Sequence, residues 1–329
     1  MNNINTKVIF FGTPEFVIPV LKSLQENFEV VGVVTAPDKS VGRKQILTPS
    51  PVKLASQGPT LQGYSLKVFT PEKLDDKFVN QLQDLKPDLF VVAAYGKIIP
   101  QNILEIPKFG AINIHPSMLP KYRGASPIQS AILAGEKTTG ISVIKMDDKM
   151  DHGPIVYAEE FSLSDLDNFQ TLSTKMFSRT SLFLPKIIPA YTAGNIKLVE
   201  QDDESATYCK IIKKEDGYFD LPAGRQDLKN FSDSPTFLKN LDRMIRAYYP
   251  WPTAWTRWQD KIVKFMPSPV VIPSEIEHST ERGNLPNSGR LPRRYAPRND
   301  KFLIQIEGKK PVKLEEFLHG YPNFPIKNL

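Results

Sequence analysis

Four apolar runs in the N-terminal part of the chain constrain its fold more than any other feature. They are Val8-Ile9-Phe10-Phe11, Val30-Val31-Gly32-Val33-Val34, Leu89-Phe90-Val91-Val92-Ala93-Ala94 and Ala111-Ile112-Asn113-Ile114. A strand wetted on one face alternates polar and apolar residues. These runs barely alternate, so they read as strands covered on both faces. Between the first two, Thr13 is placed to cap a helix and Pro14 to start it, with the helix running to Leu24. Strand, helix and strand make a βαβ unit, which requires a parallel sheet with helices packed on it. No G-x-G-x-x-G follows the first strand, which argues against a nicotinamide-dinucleotide enzyme.

Further along, Leu66–Phe69 reads as a short strand and Pro71–Leu85 as a helix with Leu74, Phe78 and Leu82 on one face. The buried strand 89–94 stops at Tyr95-Gly96. In an open α/β sheet such a strand end is where ligands bind, and a flat heterocycle can lie there against Ala93, Ala94, Tyr95 and Gly96. Gly140–Lys145 and Gly153–Phe161 read as strands, Phe169–Leu184 as an amphipathic helix, and Pro185 to Ala206 as a connector. Residues 36–50 read as a long loop carrying Lys39, Arg43 and Lys44. Such a loop either grips phosphates or is solvated surface.

After Tyr208 the texture changes to short strand candidates, 208–212, 218–221, 261–266, 302–306 and 311–314, around a helix at 238–247. That pattern suits a small β-barrel. Two stretches, 222–235 and 269–300, lack hydrophobic periodicity and are expected to be mobile inserts. The second holds Arg290–Arg298, which leaves an RNA-binding arm as the alternative. The expected organisation is a catalytic domain over 1–190, a linker over 191–206 and a second domain over 207–329.

With 329 residues and 40% hydrophobic content the chain can bury a full core in one large or two ordinary domains. Its single cysteine, Cys209, excludes a disulfide framework. No leader-like start and no membrane-length apolar run are visible, so a cytoplasmic protein is expected, without a membrane partner and without an obvious self-association stripe, hence a monomer. The net charge of +6 suits a polyanionic partner and equally suits none.

The chemistry centres on residues 110–127. Period-two alternation puts Asn113 and His115 on one strand face, opposite Ile112 and Ile114. An amide donor and a titratable ring at a strand end suit an oxyanion site. By itself N-x-H is common at ordinary strand ends; here a rigid Pro- and Gly-containing loop, 116–126, follows it. Asp151, on the turn before Gly153-Pro154, supplies a carboxylate that can orient the ring and accept an amine proton. No serine or cysteine is paired with a base, so direct transfer to an amine is expected. Asp147 and Asp148 lack partners at metal-ligand spacing and read as solvated charge, so no metal is expected. His152 points away from Asp151 on an extended segment and reads as surface or supporting. Trp251, Trp255 and Trp258 read as core or interface.

Asn113-Ile114-His115, Ser117-Met118-Leu119-Pro120 and Asp151-x-Gly153-Pro154 together resemble the signature of folate-dependent formyltransferases. Phe11-Gly12-Thr13-Pro14-Glu15-Phe16, Thr48-Pro49-Ser50-Pro51-Val52-Lys53, Lys121 to Gln129, Arg246-Ala247 and Pro250-Trp251-Pro252 resemble the branch whose acceptor is initiator methionyl-tRNA. The resemblance implies a Rossmann-like domain with a mostly parallel sheet, then a smaller OB-like β-barrel that helps hold tRNA. It implies 10-formyltetrahydrofolate as formyl donor, bound by Ala93 to Gly96 with Ser117, Leu119 and Pro120. It places catalysis on Asn113, His115 and Asp151, and tRNA contact on Arg43 with its neighbours Lys39 and Lys44. The competing expectations are a formyltransferase for a small amine, such as glycinamide ribonucleotide or a nucleotide-sugar, and a non-catalytic RNA-binding protein.

Overall fold

A computed structural model describes residues 6–42, 44–57, 66–221, 234–268 and 302–326. The chain forms two compact units, Met1–Ile212 and Lys213–Leu329. The expected inserts fall outside the described residues, except Ser234 and Pro235, which cap and begin a helix.

In the first unit the apolar runs become β1 (Lys7–Gly12), then α1 (Ile18–Asn27), β2 (Glu29–Val34), the pair β3 (Lys39–Val41) and β4 (Ile46–Thr48), and α2 (Pro51–Ala55). There follow β5 (Val68–Phe69), α3 (Asp76–Gln83), β6 (Leu89–Ala93), α4 (Gln101–Leu104), β7 (Ala111–His115), β8 (Arg123–Gly124) and α5 (Pro127–Ala134). The unit ends with β9 (Thr138–Lys145), β10 (Ile155–Ser162), α6 (Phe169–Thr192) and β11 (Tyr208–Cys209). Seven strands form one sheet in the order β10-β9-β7-β6-β1-β2-β5. The pairs from β7 to β5 are parallel, while β9 runs antiparallel between β7 and β10. Val8, Ile9, Phe10 and Phe11, and all of Leu89 to Ala93, are buried, as the runs without alternation require. From β1 the chain goes out through β2 to β5, then returns to β6 and proceeds the other way. The order therefore reverses between β1 and β6, and a ligand crevice opens at that point in such sheets.

Several expectations need correction. Thr13 caps no helix: its hydroxyl donates to the Tyr95 carbonyl (3.0 Å), and a 3₁₀ turn over Glu15–Val17 precedes α1. The helix expected from Pro71 begins at Asp76, where the Asp75 carboxylate accepts from the Phe78 N–H (3.1 Å). The loop 36–50 contains a two-stranded hairpin, with Gly42 and Gln45 at positive φ in its turn. The connector does not start at Pro185, because α6 runs through Pro185 and Pro189. Pro185 has no N–H for the carbonyl four residues back, that of Ser181; the Ser23 hydroxyl of α1 donates to it instead at 2.6 Å. The strand expected at 208–212 belongs to the first unit, where Tyr208–Cys209 pairs with Arg123–Gly124.

In the second unit, α7 (Pro235–Ala247) is followed by β12 (Ala254–Trp258), β13 (Lys261–Pro267), β14 (Phe302–Ile306), β15 (Val312–Lys313) and α8 (Leu314–Gly320). The strands form an antiparallel sheet in that order. Its buried face, Ala254, Val263, Phe265, Phe302, Ile304 and Ile306, packs with Leu241, Ile245, Phe317 and Phe324. The helix α8 had no counterpart in the expected strands, although Leu314 and Phe317 sit three apart and both are buried. Trp258 packs edge-on to Phe324, but Trp251 is 57% exposed and so is not core.

Candidate active site

Asn113 and His115 end β7, beside the end of β6, with Val92 opposite Asn113 in parallel register. They share the face that alternation predicts. Asp151 reaches them from the turn between β9 and β10. Gly153 permits that turn, because a Cβ there would lie 1.8 Å from the Lys145 carbonyl oxygen. Asp151 itself adopts φ +50°, a left-handed conformation costly for a residue with a Cβ.

The carboxylate is shared out. Asp151 Oδ1 accepts from Asn113 Nδ2 at 3.1 Å, and Oδ2 accepts from the Gly124 N–H at 2.9 Å. Oδ2 also lies 3.5 Å from His115 Nδ1, and the two side chains are 15% and 4% exposed. On its other side, His115 Nε2 is 2.9 Å from the Tyr122 carbonyl oxygen, which can only accept, so Nε2 carries the proton. The ring thus lies between two acceptors. A neutral imidazole can donate to one of them; the doubly protonated ring donates to both. Asn113 has a second amide N–H beyond the one given to Asp151, and that N–H is a ready donor for a developing oxyanion.

The loop after His115 is held from within. Ser117 Oγ donates to Lys121 O (2.6 Å), Ser142 Oγ donates to Ser117 O (2.8 Å), and Leu119 N–H donates to Ser142 Oγ (3.0 Å). Leu119-Pro120 is a cis peptide. Ser117 and Leu119 are buried in this wall. Ala93 is buried in its strand, and the Tyr95 ring packs on Phe11 at 5.4 Å, where burial pushes its phenol up to about 12. What the strand end exposes is Ala94 and Gly96, at φ +48° and +85°. Pro120 lines a cleft of about 270 Å³ with Met118, Lys121, Tyr122 and Glu136; Asn113, His115 and Asp151 do not line it. Lys39 and Lys44 are exposed on the hairpin, alongside Val41, Ile46 and Leu47, which are more than half exposed; Arg43 lies outside the described residues.

His152 is a supporting residue, with Nδ1 2.7 Å from Asp147 Oδ2 and Nε2 3.3 Å from Asp203 Oδ2. Among the described residues no group of three or more His, Cys, Asp or Glu is placed to hold a metal, and no helix is long and apolar enough to cross a membrane. Sequence reasoning missed the Gly124 N–H and the Tyr122 carbonyl. Both are backbone groups and carry no residue-type signal; the only hint was a glycine directly after Tyr122-Arg123.

The Formyl transferase family matches residues 6–188 of this chain, the part that holds all three chemical residues. The methionyl-tRNA formyltransferase of Bacillus velezensis is 35% identical over 327 residues, covering 96% of this chain and 95% of that protein. The chain belongs to the methionyl-tRNA formyltransferase family. The family's enzyme from Chloroflexus aggregans is 40% identical over 273 residues, 82% of each chain. In fold, the solved methionyl-tRNA formyltransferase from Clostridium thermocellum matches with a TM-score of 0.53 at 17% identity, over 94% of this chain and 100% of that one.

Proposed function

We propose that this chain transfers the formyl group of 10-formyltetrahydrofolate to the α-amino group of initiator methionyl-tRNA, acting as a cytoplasmic monomer. The observation that carries the reading is the Asp151 carboxylate, which touches Asn113, faces His115 and is anchored by the Gly124 N–H. The neutral amine attacks the formyl carbon, the new C–N bond forms, and the carbonyl electron pair moves to oxygen. The spare N–H of Asn113 donates to that oxyanion. When doubly protonated, the His115 ring also donates to it through Nδ1, whose 3.5 Å contact to Asp151 is the looser of its two. Asp151 accepts the proton of the attacking amine, directly or through a water. The tetrahedral carbon collapses, its bond to the folate nitrogen breaks, and that nitrogen takes a proton.

The donor lies along the β6 end, met by backbone at Ala94 and Gly96, with Ala93 and Tyr95 beneath and Ser117, Leu119 and Pro120 forming the wall of the adjoining loop. The β3–β4 hairpin, where Lys39 and Lys44 are exposed beside Val41, Ile46 and Leu47, meets the tRNA, with Arg43 between them in the sequence, and phosphate contact accounts for these cations. The second unit contributes further tRNA affinity.

A formylation assay tests this reading. Charged initiator tRNA, charged elongator tRNA, glycinamide ribonucleotide and a nucleotide-sugar amine are each offered with 10-formyltetrahydrofolate. The expected result is transfer to initiator methionyl-tRNA with the highest kcat/KM. Faster transfer to a small amine would reassign the acceptor, and absence of transfer to every amine would reject the enzyme reading.

A further inference from the structure

Asp151 is held by its backbone as well as by its carboxylate. Gln201 Nε2 donates to the Asp151 carbonyl (2.9 Å) and to the Gly153 carbonyl (2.8 Å), so both amide hydrogens brace the strained turn. The other end of that amide is also committed, because Gln201 Oε1 accepts from Arg123 Nε at 3.0 Å. Arg123 is 1% exposed. Its Nη2 donates to Asp203 Oδ1 (2.8 Å), its Nη1 donates to the Tyr208 hydroxyl (3.3 Å), and its backbone N–H donates to Thr207 O (2.8 Å). The next residue is Gly124, whose N–H holds the Asp151 carboxylate. A guanidinium can only donate, so Gln201 must turn its oxygen to Arg123 and its NH₂ to the two carbonyls.

Resting on the function proposed above, we infer that Gln201, oriented by the buried Arg123, is a positioning residue for Asp151, and that residues 199–210 are a working part of the catalytic unit rather than a linker. Three further contacts tie that stretch to the site. Val199 and Ile155 exchange backbone bonds (2.8 and 3.0 Å), Tyr208–Cys209 pairs with Arg123–Gly124, and Lys210 O accepts from Ser126 Oγ. Arg123 and Gln201 thus fix the backbone of the Asp151 turn while Gly124 fixes its carboxylate. A group that must meet both His115 and a substrate amine tolerates little displacement: an error of about 1 Å at a reacting centre costs on the order of 100-fold.

The discriminating variant is Gln201→Glu. It preserves volume and strengthens the contact to Arg123, but it presents a carboxylate oxygen to two carbonyl oxygens and so pushes the Asp151 turn away. The expected result is a thermal midpoint lowered by roughly 2–8 °C, because two carbonyls lose their donor, in a protein still folded at the assay temperature, with KM values for 10-formyltetrahydrofolate and methionyl-tRNA within about twofold of wild type and kcat reduced about 100-fold. In an Asp151→Asn background the same change should add less than about threefold, because the group it positions is already gone. A purely structural role predicts a different pattern, with kcat of the folded protein near wild type and effects that multiply in the double variant. Unchanged kcat in folded Gln201→Glu, or a full 100-fold loss on top of Asp151→Asn, overturns the inference. If Gln201→Glu does not fold, Arg123→Lys keeps a cation near Asp203 but cannot bond Asp203, Tyr208 and Gln201 together, and a smaller loss confined to kcat, about tenfold, is expected, with unchanged kcat overturning the inference. A wild-type chain that transfers no formyl group would reject the function itself, a result distinct from these.

Discussion

Asp151→Asn is the sharpest probe of the site because it changes charge and donor pattern while keeping shape. In the native site Oδ1 accepts from Asn113 (3.1 Å), and Oδ2 accepts from Gly124 (2.9 Å) and faces His115 (3.5 Å). An asparagine amide can sit two ways. With NH₂ at the Oδ2 position, it points a donor at the Gly124 N–H. With NH₂ at the Oδ1 position, Asn113 must flip its own amide, and the N–H reserved for the oxyanion is turned away. Either way one charge-assisted hydrogen bond is lost, a term of about 1.5–3 kcal/mol. At about 1.4 kcal/mol per factor of ten, that is roughly 10- to 150-fold. Loss of the carboxylate as proton acceptor removes a further factor of about 10² to 10⁴. The smaller ends of the two ranges give a fall in kcat of about 1000-fold. Binding of methionyl-tRNA should stay near wild type, since Asp151 is 15% exposed and the proposed tRNA contacts are elsewhere. Single-turnover formylation, with tRNA affinity measured separately, checks both halves. Turnover within about tenfold of wild type would refute the assignment of Asp151 and the bonding scheme around it.

Other perturbations follow from single contacts. Gly124→Ala adds a Cβ 2.4 Å from the Cys209 carbonyl oxygen at φ +114°; it should cost at least about 1–3 kcal/mol by denaturant unfolding and lower kcat by withdrawing the N–H from Asp151. Ser23→Ala leaves the Ser181 carbonyl without its substitute donor and should cost about 1–3 kcal/mol. In a Pro185→Ala background the restored N–H supplies that bond, so the cost should shrink. The buried Tyr95 phenol is raised from 10.0 to about 12, so the folded state holds its proton more tightly than the unfolded chain does. That stability is fully present below pH 10 and is lost as pH rises through 12, up to about 3 kcal/mol. Because the hydroxyl has no partner among the described residues, Tyr95→Phe should remove this alkaline loss and leave stability at neutral pH equal or higher, as denaturant midpoints at the two pH values would show.

Much of this protein follows from local rules that the sequence carries alone. Runs such as Leu89 to Ala93 have no polar face to offer water, so they had to be interior strands, and a helix between the first two made them parallel. A period of two put Asn113 and His115 on one face, and Gly153-Pro154 marked the turn that presents Asp151. What tertiary structure decided depends on partners distant in sequence or on groups every residue has. Pro185 breaks no helix because Ser23, far away in the chain, donates in its place. The stretch from Pro185 to Ala206 reads as a connector until Gln201 is seen bonded to a turn 50 residues earlier. The proton on His115 is placed by the Tyr122 carbonyl, and the Asp151 carboxylate by the Gly124 N–H. Backbone groups have no letter in the sequence, so only the folded chain could show which of them face the chemistry.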